Sequence, residues 1–359
     1  HLSSPANHRA CGPVESQWEG NHCVQYNRMV GSGQAWPKRR LGRSIAAAGY
    51  VSVAITVWRH AMTIAGRSVI FFAALAWTTG TASHAVAEDA GREPIPIIYD
   101  TDFGEDIDDA WALALAVRSP ELDVKLVTIN FGGVRYKAKM VAKLLDALGR
   151  DDIPIAIGRS TKQWRPRYYA WAKDYDVKGY AGEISKDAVG KMIEVIEADT
   201  TGRLKVVPVG SMLNVAEVVK RRPDLVKRVE LVAMSGRIKP RGDGELSAET
   251  NVRVAVGAAK IAYGADWKRF TIAPLDVTSG VHLGGERYQR VYQSKAAGMP
   301  ELIEAYKVFE PNAHWANYDV TKRSSTLHDA VAVYLAWSST YLEIEKRPLR
   351  VVGKGYTKV

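Results

Sequence analysis

Between Ile97-Ile98 and the apolar stretch Ala110 to Val117, the chain places six carboxylates in ten residues: Asp100, Asp102, Glu105, Asp106, Asp108 and Asp109. Like charges at that density repel one another unless a cation or a proton neutralises them. Carboxylate oxygens without His or Cys favour a hard ion, Ca2+ or Mg2+, and a dense acidic set suits the roughly six to eight oxygens that calcium takes. Helix N-capping by Asp106 or Asp108 is the plainer use of the same residues. Cys11 and Cys23 are the only cysteines, which excludes a disulfide framework, and also a Cys-rich zinc site or Cys nucleophile beyond the first two dozen residues.

These acids need a scaffold, and from Pro94 onward apolar strands alternate with amphipathic helices. Strand-like runs are Pro96 to Tyr99, Val124 to Ile129, Ile153 to Ile157, Leu204 to Val209, Val229 to Met234 and Phe270 to Leu275. Helical stretches fall near Asp108 to Arg118, Lys137 to Leu148, Lys186 to Ala198, Asn214 to Lys220 and Asn251 to Tyr263. The alternation predicts an α/β fold, a mainly parallel central sheet with helices on both faces. Ligands in that architecture bind beyond the carboxyl ends of strands, where the acidic run begins.

The run Asp100-Thr-Asp102-Phe-Gly104-Glu-Asp106-Ile-Asp108-Asp109-Ala-Trp-Ala-Leu, following an apolar strand, resembles the signature of the nucleoside hydrolase family, including its inosine-uridine-preferring type. Further landmarks follow in order. Val207-Pro-Val-Gly210-Ser-Met-Leu213-Asn214-Val-Ala216 is similar to the turn that offers a backbone carbonyl to a metal. Val232-Ala-Met234-Ser-Gly236 is similar to a strand ending in Met-Gly-Gly, and Ala248-Glu249-Thr-Asn251 to the ribose-binding Glu-x-Asn segment. Leu275-Asp276-Val-Thr278 matches another strand end, and Thr326-Leu-His328-Asp329-Ala330 the late His-Asp pair. The resemblance spans roughly residues 95 to 337 and implies a Rossmann-like fold for residues 88–359.

It also implies a site. N-glycosidic cleavage passes through an oxocarbenium-like sugar, so water, ribose hydroxyls and the departing base must each be handled. By resemblance Asp102 is general base and metal ligand, Asp109 and Asp329 are carboxylate ligands, and the Leu213 carbonyl completes the set around one Ca2+. Asp108 is carried over as acceptor for the ribose 2′-hydroxyl, and Glu249 and Asn251 as contacts to the 3′ and 5′ side. His328 is the candidate acid for the leaving base, its ordinary pKa lying near neutrality; the alternatives are that it orients Asp329 or packs in the wall. Asp100 reads as a brace for the metal site, and Asp276 as a structural hydrogen-bonding residue.

Three departures stand against the family pattern. Gly132-Gly133 replaces a usual Asn contact after the second strand, Asp243 stands where another Asn addresses the 5′-hydroxyl, and Asp176 to Glu183 carries no recognisable His-Gly-Glu segment. Trp315 and Tyr318, before His328, could stack on a nucleobase or simply pack under a loop. The expected partner is a small nucleoside or other ribosyl substrate, and family members are commonly dimers or tetramers.

Residues 62–87 read as a secretory signal peptide: Arg67, an apolar run from Ser68 to Trp77, and the cleavage signal Ala85-Val86-Ala87. The run is shorter than the roughly 20 residues of a membrane span. On this reading residues 1–61 are upstream sequence outside the mature protein, which is exported, periplasmic or secreted, without stable membrane association after processing. An uncleaved anchor or a buried N-terminal helix is the alternative. The formal charge of +10 is concentrated there: residues 1–87 hold eight Lys and Arg against two Glu, leaving +4 for residues 88–359. No basic stripe with interleaved aromatics supports a nucleic-acid partner. Two rivals remain at this point, an Asp-nucleophile phosphatase, which Gly104 and the unexplained His328-Asp329 disfavour, and an exported nucleoside- or sugar-binding protein.

Overall fold

The computed structural model describes residues 50–55, 93–158, 160, 164–240 and 244–359. The segment read as a signal peptide lies outside them. In chain order the strands are β1 (Tyr50–Ile55), β2 (Ile95–Thr101), β3 (Leu122–Ile129), β4 (Ile155–Ile157), β5 (Ile184–Ser185), β6 (Lys205–Pro208), β7 (Glu230–Met234), β8 (Arg269–Ala273), β9 (Glu343–Pro348), β10 (Arg350–Val352) and β11 (Tyr356–Lys358). The helices are α1 (Asp108–Arg118), α2 (Val134–Ala147), α3 (Ala188–Ala198), α4 (Leu213–Arg221), α5 (Thr250–Arg253), α6 (Val256–Tyr263), α7 (Leu275–Thr278), α8 (Gly285–Tyr292), α9 (Met299–Phe309) and α10 (His328–Leu335).

Nine strands form one sheet in the order β5-β4-β3-β2-β6-β7-β8-β1-β9, while β10 and β11 pair apart. All neighbours are parallel except β1 with β9. From β2 the chain winds outward through β3, β4 and β5, then returns to the far side of β2 with β6, β7 and β8. The order reverses between β2 and β6, and such a switch point opens a crevice beyond the carboxyl ends of those two strands.

Burial explains the layers. Strand β2 is buried along nearly its whole length, as parallel strands covered on both faces must be. Its pleat sends Ile97 and Tyr99 into one core with α1, α2, α9 and α10, and Ile98 into a second core with α3, α4 and α6. Helix α1 packs on α10, and α4 on α6. That first contact brings residue 329 to the acidic run more than 200 positions upstream.

The structure departs from the sequence expectation in several places. The helix expected over 251–263 is two, because Ala255 at φ −144° interrupts it. The sixth expected strand ends at Ala273, since Pro274 lacks the N–H a ladder needs and starts α7 instead. Helices α8, α9 and α10 were not separately anticipated. Tyr50–Ile55, within the segment read as upstream, is a strand of the sheet: Ser52 pairs with Thr271 of β8 and Lys346 of β9, with Val51 and Val53 buried. Among the described residues no helix is long and apolar enough to cross a membrane.

Candidate active site

The loop from β2 to α1 carries the acids into the crevice. Neither Asp106 nor Asp108 caps α1: Ile107 holds the N-cap position without a side-chain bond, and Asp108 and Asp109 form the first turn. Asp106 Oδ1 accepts from the Ile107 N–H at 2.6 Å. Capping alone therefore does not explain the run, although the positive end of the helix dipole favours carboxylates there.

Asp108, Asp109 and Asp329 converge so that one carboxylate oxygen of each lies within 4.8 Å of the others, and all three are buried. The first two come from α1 and the third from the first turn of α10. Burial pushes all three carboxyls well above their ordinary range, and their mutual repulsion adds to it. Asp102 stands beside this group, and its charge raises each of the three. Its own pKa is pushed up to about 7, chiefly by burial, with the Lys137 ammonium pulling the other way. The expected ligand set was Asp102, Asp109, Leu213 and Asp329, with Asp108 turned to the sugar; the trio gathered by the fold includes Asp108 and leaves Asp102 next to it. Four buried, mutually repelling carboxylates fit a divalent cation, and the all-oxygen donor set suits a hard one.

The surroundings hold these groups still. Thr101 Oγ1 donates to Asp109 Oδ1, and Tyr99 Oη donates to the Asp109 carbonyl at 3.0 Å. Asp100 accepts from Thr128 Oγ1 at 2.7 Å and Asn214 Nδ2 at 2.9 Å, tying β2 to β3 and to the start of α4, where Leu213 is the first residue. Gly210 is the close-approach point between the β6 turn and the acidic loop: a Cβ there would lie 2.7 Å from the Asp102 nitrogen.

The sugar-side candidates are engaged with backbone. Glu249 caps α5, its Oε1 accepting from the Asn251 N–H at 2.6 Å and its Oε2 from the N–H groups of Gly236 at 3.0 Å and Val252 at 3.2 Å. Asn251 Nδ2 donates to the Val209 carbonyl at 2.7 Å and the Met234 carbonyl at 3.2 Å, pinning the ends of β6 and β7. Asp243 lies outside the described residues. Asp276 accepts from the Ile238 N–H at 2.8 Å, a bond within the framework.

His328 opens α10 with its Nδ1 2.8 Å from Thr278 Oγ1. Burial and the Arg237 charge hold its pKa down to about 4, so the ring is neutral at pH 7. Trp315 is 52% exposed, with the Arg167 guanidinium 4.6 Å from its ring centroid and Phe309 at 5.8 Å.

The missing Asn at Gly132-Gly133 has a steric explanation. A Cβ at Gly133 would meet the Trp164 carbonyl oxygen at 2.1 Å, so the Trp164 segment fills the space a side chain would need. Sequence reading passed over Lys137, which is fully buried beside Asp102. The signal was present: Val134, Lys137, Ala138, Val141 and Leu145 form one helical stripe, and a lysine in an apolar stripe is anomalous.

A doubly wound, mainly parallel sheet with a buried acidic cluster at its switch point and a backbone turn against it forms an α/β crevice able to hold a metal ion. The comparisons name the family. The model of the inosine-uridine preferring nucleoside hydrolase family matches residues 97–358, and the chain belongs to that family; it is an N-glycosyl hydrolase of ribonucleosides. It is 26% identical over 276 residues to the inosine-uridine preferring nucleoside hydrolase of Crithidia fasciculata, covering 72% of this chain and 84% of that protein. It is 27% identical over 256 residues to the pyrimidine-specific ribonucleoside hydrolase RihA of Photobacterium profundum, covering 67% and 79%. Among solved structures it is similar to a plant nucleoside hydrolase, the PpNRh1 enzyme, with a TM-score of 0.62 and 25% identity over 74% of this chain and 86% of that one.

Proposed function

We propose that this chain cleaves ribonucleosides to free base and ribose with calcium as its metal, and that Asp102 accepts the proton of the attacking water. The observation that carries this is the buried convergence of Asp108, Asp109 and Asp329 beside Asp102. Those three, with Asp102 beside them, would hold the ion, and the Leu213 carbonyl is our further candidate ligand. When bound, it supplies the positive charge that stabilises the carboxylates and acidifies nearby water.

The chain's own groups do the rest. Asp102, buried beside the acidic trio, is the carboxylate that takes the proton in this reading. Thr101 and Tyr99 keep Asp109 in place. Thr278 Oγ1, 2.8 Å from Nδ1, fixes the His328 ring, and that neutral imidazole is the group we assign to the departing base. Trp315, 52% exposed, is our candidate for an aromatic face against that base.

The test is sugar release by the full chain from purine and pyrimidine ribonucleosides, with calcium and with chelator. Chelator-sensitive release that disappears in Asp102→Ala is expected. Release indifferent to chelator removes calcium from the reading, and an Asp102→Ala variant as active as the parent removes the mechanism.

Export remains our proposal from the Arg67 to Ala87 pattern. Cleavage after Ala87 would separate Tyr50–Ile55 from the chain that carries β8 and β9. N-terminal sequencing of protein recovered from secreting cells decides: a start at Glu88 supports export with processing, and a start ahead of Tyr50 overturns it.

A further inference from the structure

The helix stripe that carries α2 into the core contains a lysine. Lys137 is 0% exposed, and burying an ammonium is unfavourable unless it is paired and hydrogen-bonded. Both conditions hold. Its Nζ donates to the backbone carbonyl of Asp102 at 2.7 Å and lies 2.8 Å from Glu105 Oε1. The same Glu105 oxygen accepts from Trp164 Nε1 at 2.8 Å. The ammonium also sits 5.8 Å from the Phe131 ring centroid, and Phe131 meets Trp164 edge-on at 5.2 Å. An apolar residue would fill the stripe without the cost of dehydrating a charge, so packing alone does not account for a lysine here.

What the lysine grips is informative. The loop between β2 and α1 turns through Gly104 at φ +97°. Phe103 donates its N–H to Thr101 Oγ1 at 3.0 Å, and the Gly104 carbonyl accepts from Arg167 at 3.0 Å. The Asp102 carbonyl, held by Lys137, is a further point of attachment, and it belongs to the residue whose carboxylate stands against the acidic trio. Phe131, next to Asn130 at the end of β3, adopts φ +55°, a strained conformation for a side-chain-bearing residue. It sits beside the ammonium.

We propose that Lys137 is a positioning residue: by holding the Asp102 carbonyl it sets the direction in which the Asp102 carboxylate meets the metal site and the water. Glu105 anchors the ammonium, and Trp164 extends the same network toward the surface. This rests on the reading of Asp102 given above.

The test uses the full chain with Lys137→Met and Lys137→Arg, checked for folding by thermal melts. It compares steady-state kinetics on the parent's best ribonucleoside at saturating calcium with calorimetric titration of calcium into chelator-stripped protein. Lys137→Met is expected to lose about 100-fold in kcat, the scale set by misplacing a reacting group by 1 Å, with KM within about threefold. Calcium binding should weaken by about 10- to 100-fold, the usual cost of losing a partner that orients a ligand. Lys137→Arg, which keeps charge and donors, should recover part of both. Parent-like kcat and calcium affinity in Lys137→Met would overturn the proposal, as would a rise in KM alone.

Should the Met variant fail to melt cooperatively, Glu105→Leu decides, since it leaves Lys137 in place without its carboxylate. A lower kcat at unchanged KM supports the role, and parent kinetics overturn it. If the parent releases no sugar from any nucleoside, the functional reading fails by itself, and the calcium titration still decides for or against Lys137.

Discussion

Gly210→Ala probes the site without touching any charge. A Cβ built at Gly210 lies 2.7 Å from the Asp102 nitrogen, 2.8 Å from its Oδ1 and 2.9 Å from its Cβ, whereas ordinary contact begins at 3.4 Å. The nearest of these is backbone, which cannot swing aside as a flexible side chain would. The β6 turn and the Asp102 loop must therefore part by about 0.7 Å, the difference between 3.4 and 2.7 Å. Overpacking of this kind costs about 1–3 kcal/mol, which lowers the melting temperature by roughly 2–4 °C per kcal/mol in a domain of this size class. The catalytic effect should be larger. Misplacing a reacting group by about 1 Å costs on the order of 100-fold in rate, so a fall of about 30- to 100-fold in kcat is expected.

Gly257→Ala is the control, because its Cβ meets nothing within 4 Å. It lies in α6, where alanine is preferred over glycine by about 0.5–1 kcal/mol, so that variant should melt at or slightly above the parent. Sugar release and thermal melts on the two variants complete the assay. Parent-like kcat in a folded Gly210→Ala would refute the argument that Asp102 must sit against this turn to work.

Asp329→Asn should weaken calcium binding by more than the roughly 10- to 100-fold lost with an outer partner, measured by calorimetry. In chelator the same variant should melt above the parent, because it removes one of the repelling buried charges. The pH dependence of the metal-free protein follows from Asp102, whose folded pKa of about 7 lies above the ordinary 3.8. A raised carboxylate pKa is a penalty that is complete above the folded value and is relieved as pH falls through about 7 toward 3.8. Chelated protein should therefore gain stability between pH 8 and pH 6, by up to about 1.4 kcal/mol per pH unit for one such group. Saturating calcium should abolish the gain, and a flat profile in chelator would count against a buried, crowded Asp102.

Much of this protein was legible in its residue order. The strand and helix periods from Pro94 onward define an α/β sheet, because burial on both faces of a parallel strand leaves a continuous apolar run such as Ile97-Ile98-Tyr99. The density of carboxylates after β2 marks an acidic cluster that calls for a neutralising cation or proton, and the ordered motifs up to His328-Asp329 point to the family. Local rules also mark where α1 begins, at Asp108.

Tertiary structure decided the rest, for a physical reason common to each case: the deciding contact joins residues far apart in the chain. Asp329 meets Asp108 and Asp109 only because α10 packs on α1. Spacing could not reveal which acid completes the trio, since Asp102 and Asp108 are both acidic and both near. The employment of Glu249 and Asn251 in pinning strand ends depends on where β6 and β7 finish. The loss of an Asn at Gly133 reads as a missing contact until Trp164 is seen in its place. Tyr50–Ile55, part of a short apolar stretch from Ile45 to Trp58, gains its strand from the partners β8 and β9 on either side. Lys137 is the sharpest case: its period placed it in the core, but only the fold supplies the Asp102 carbonyl and the Glu105 carboxylate that make a buried ammonium tolerable.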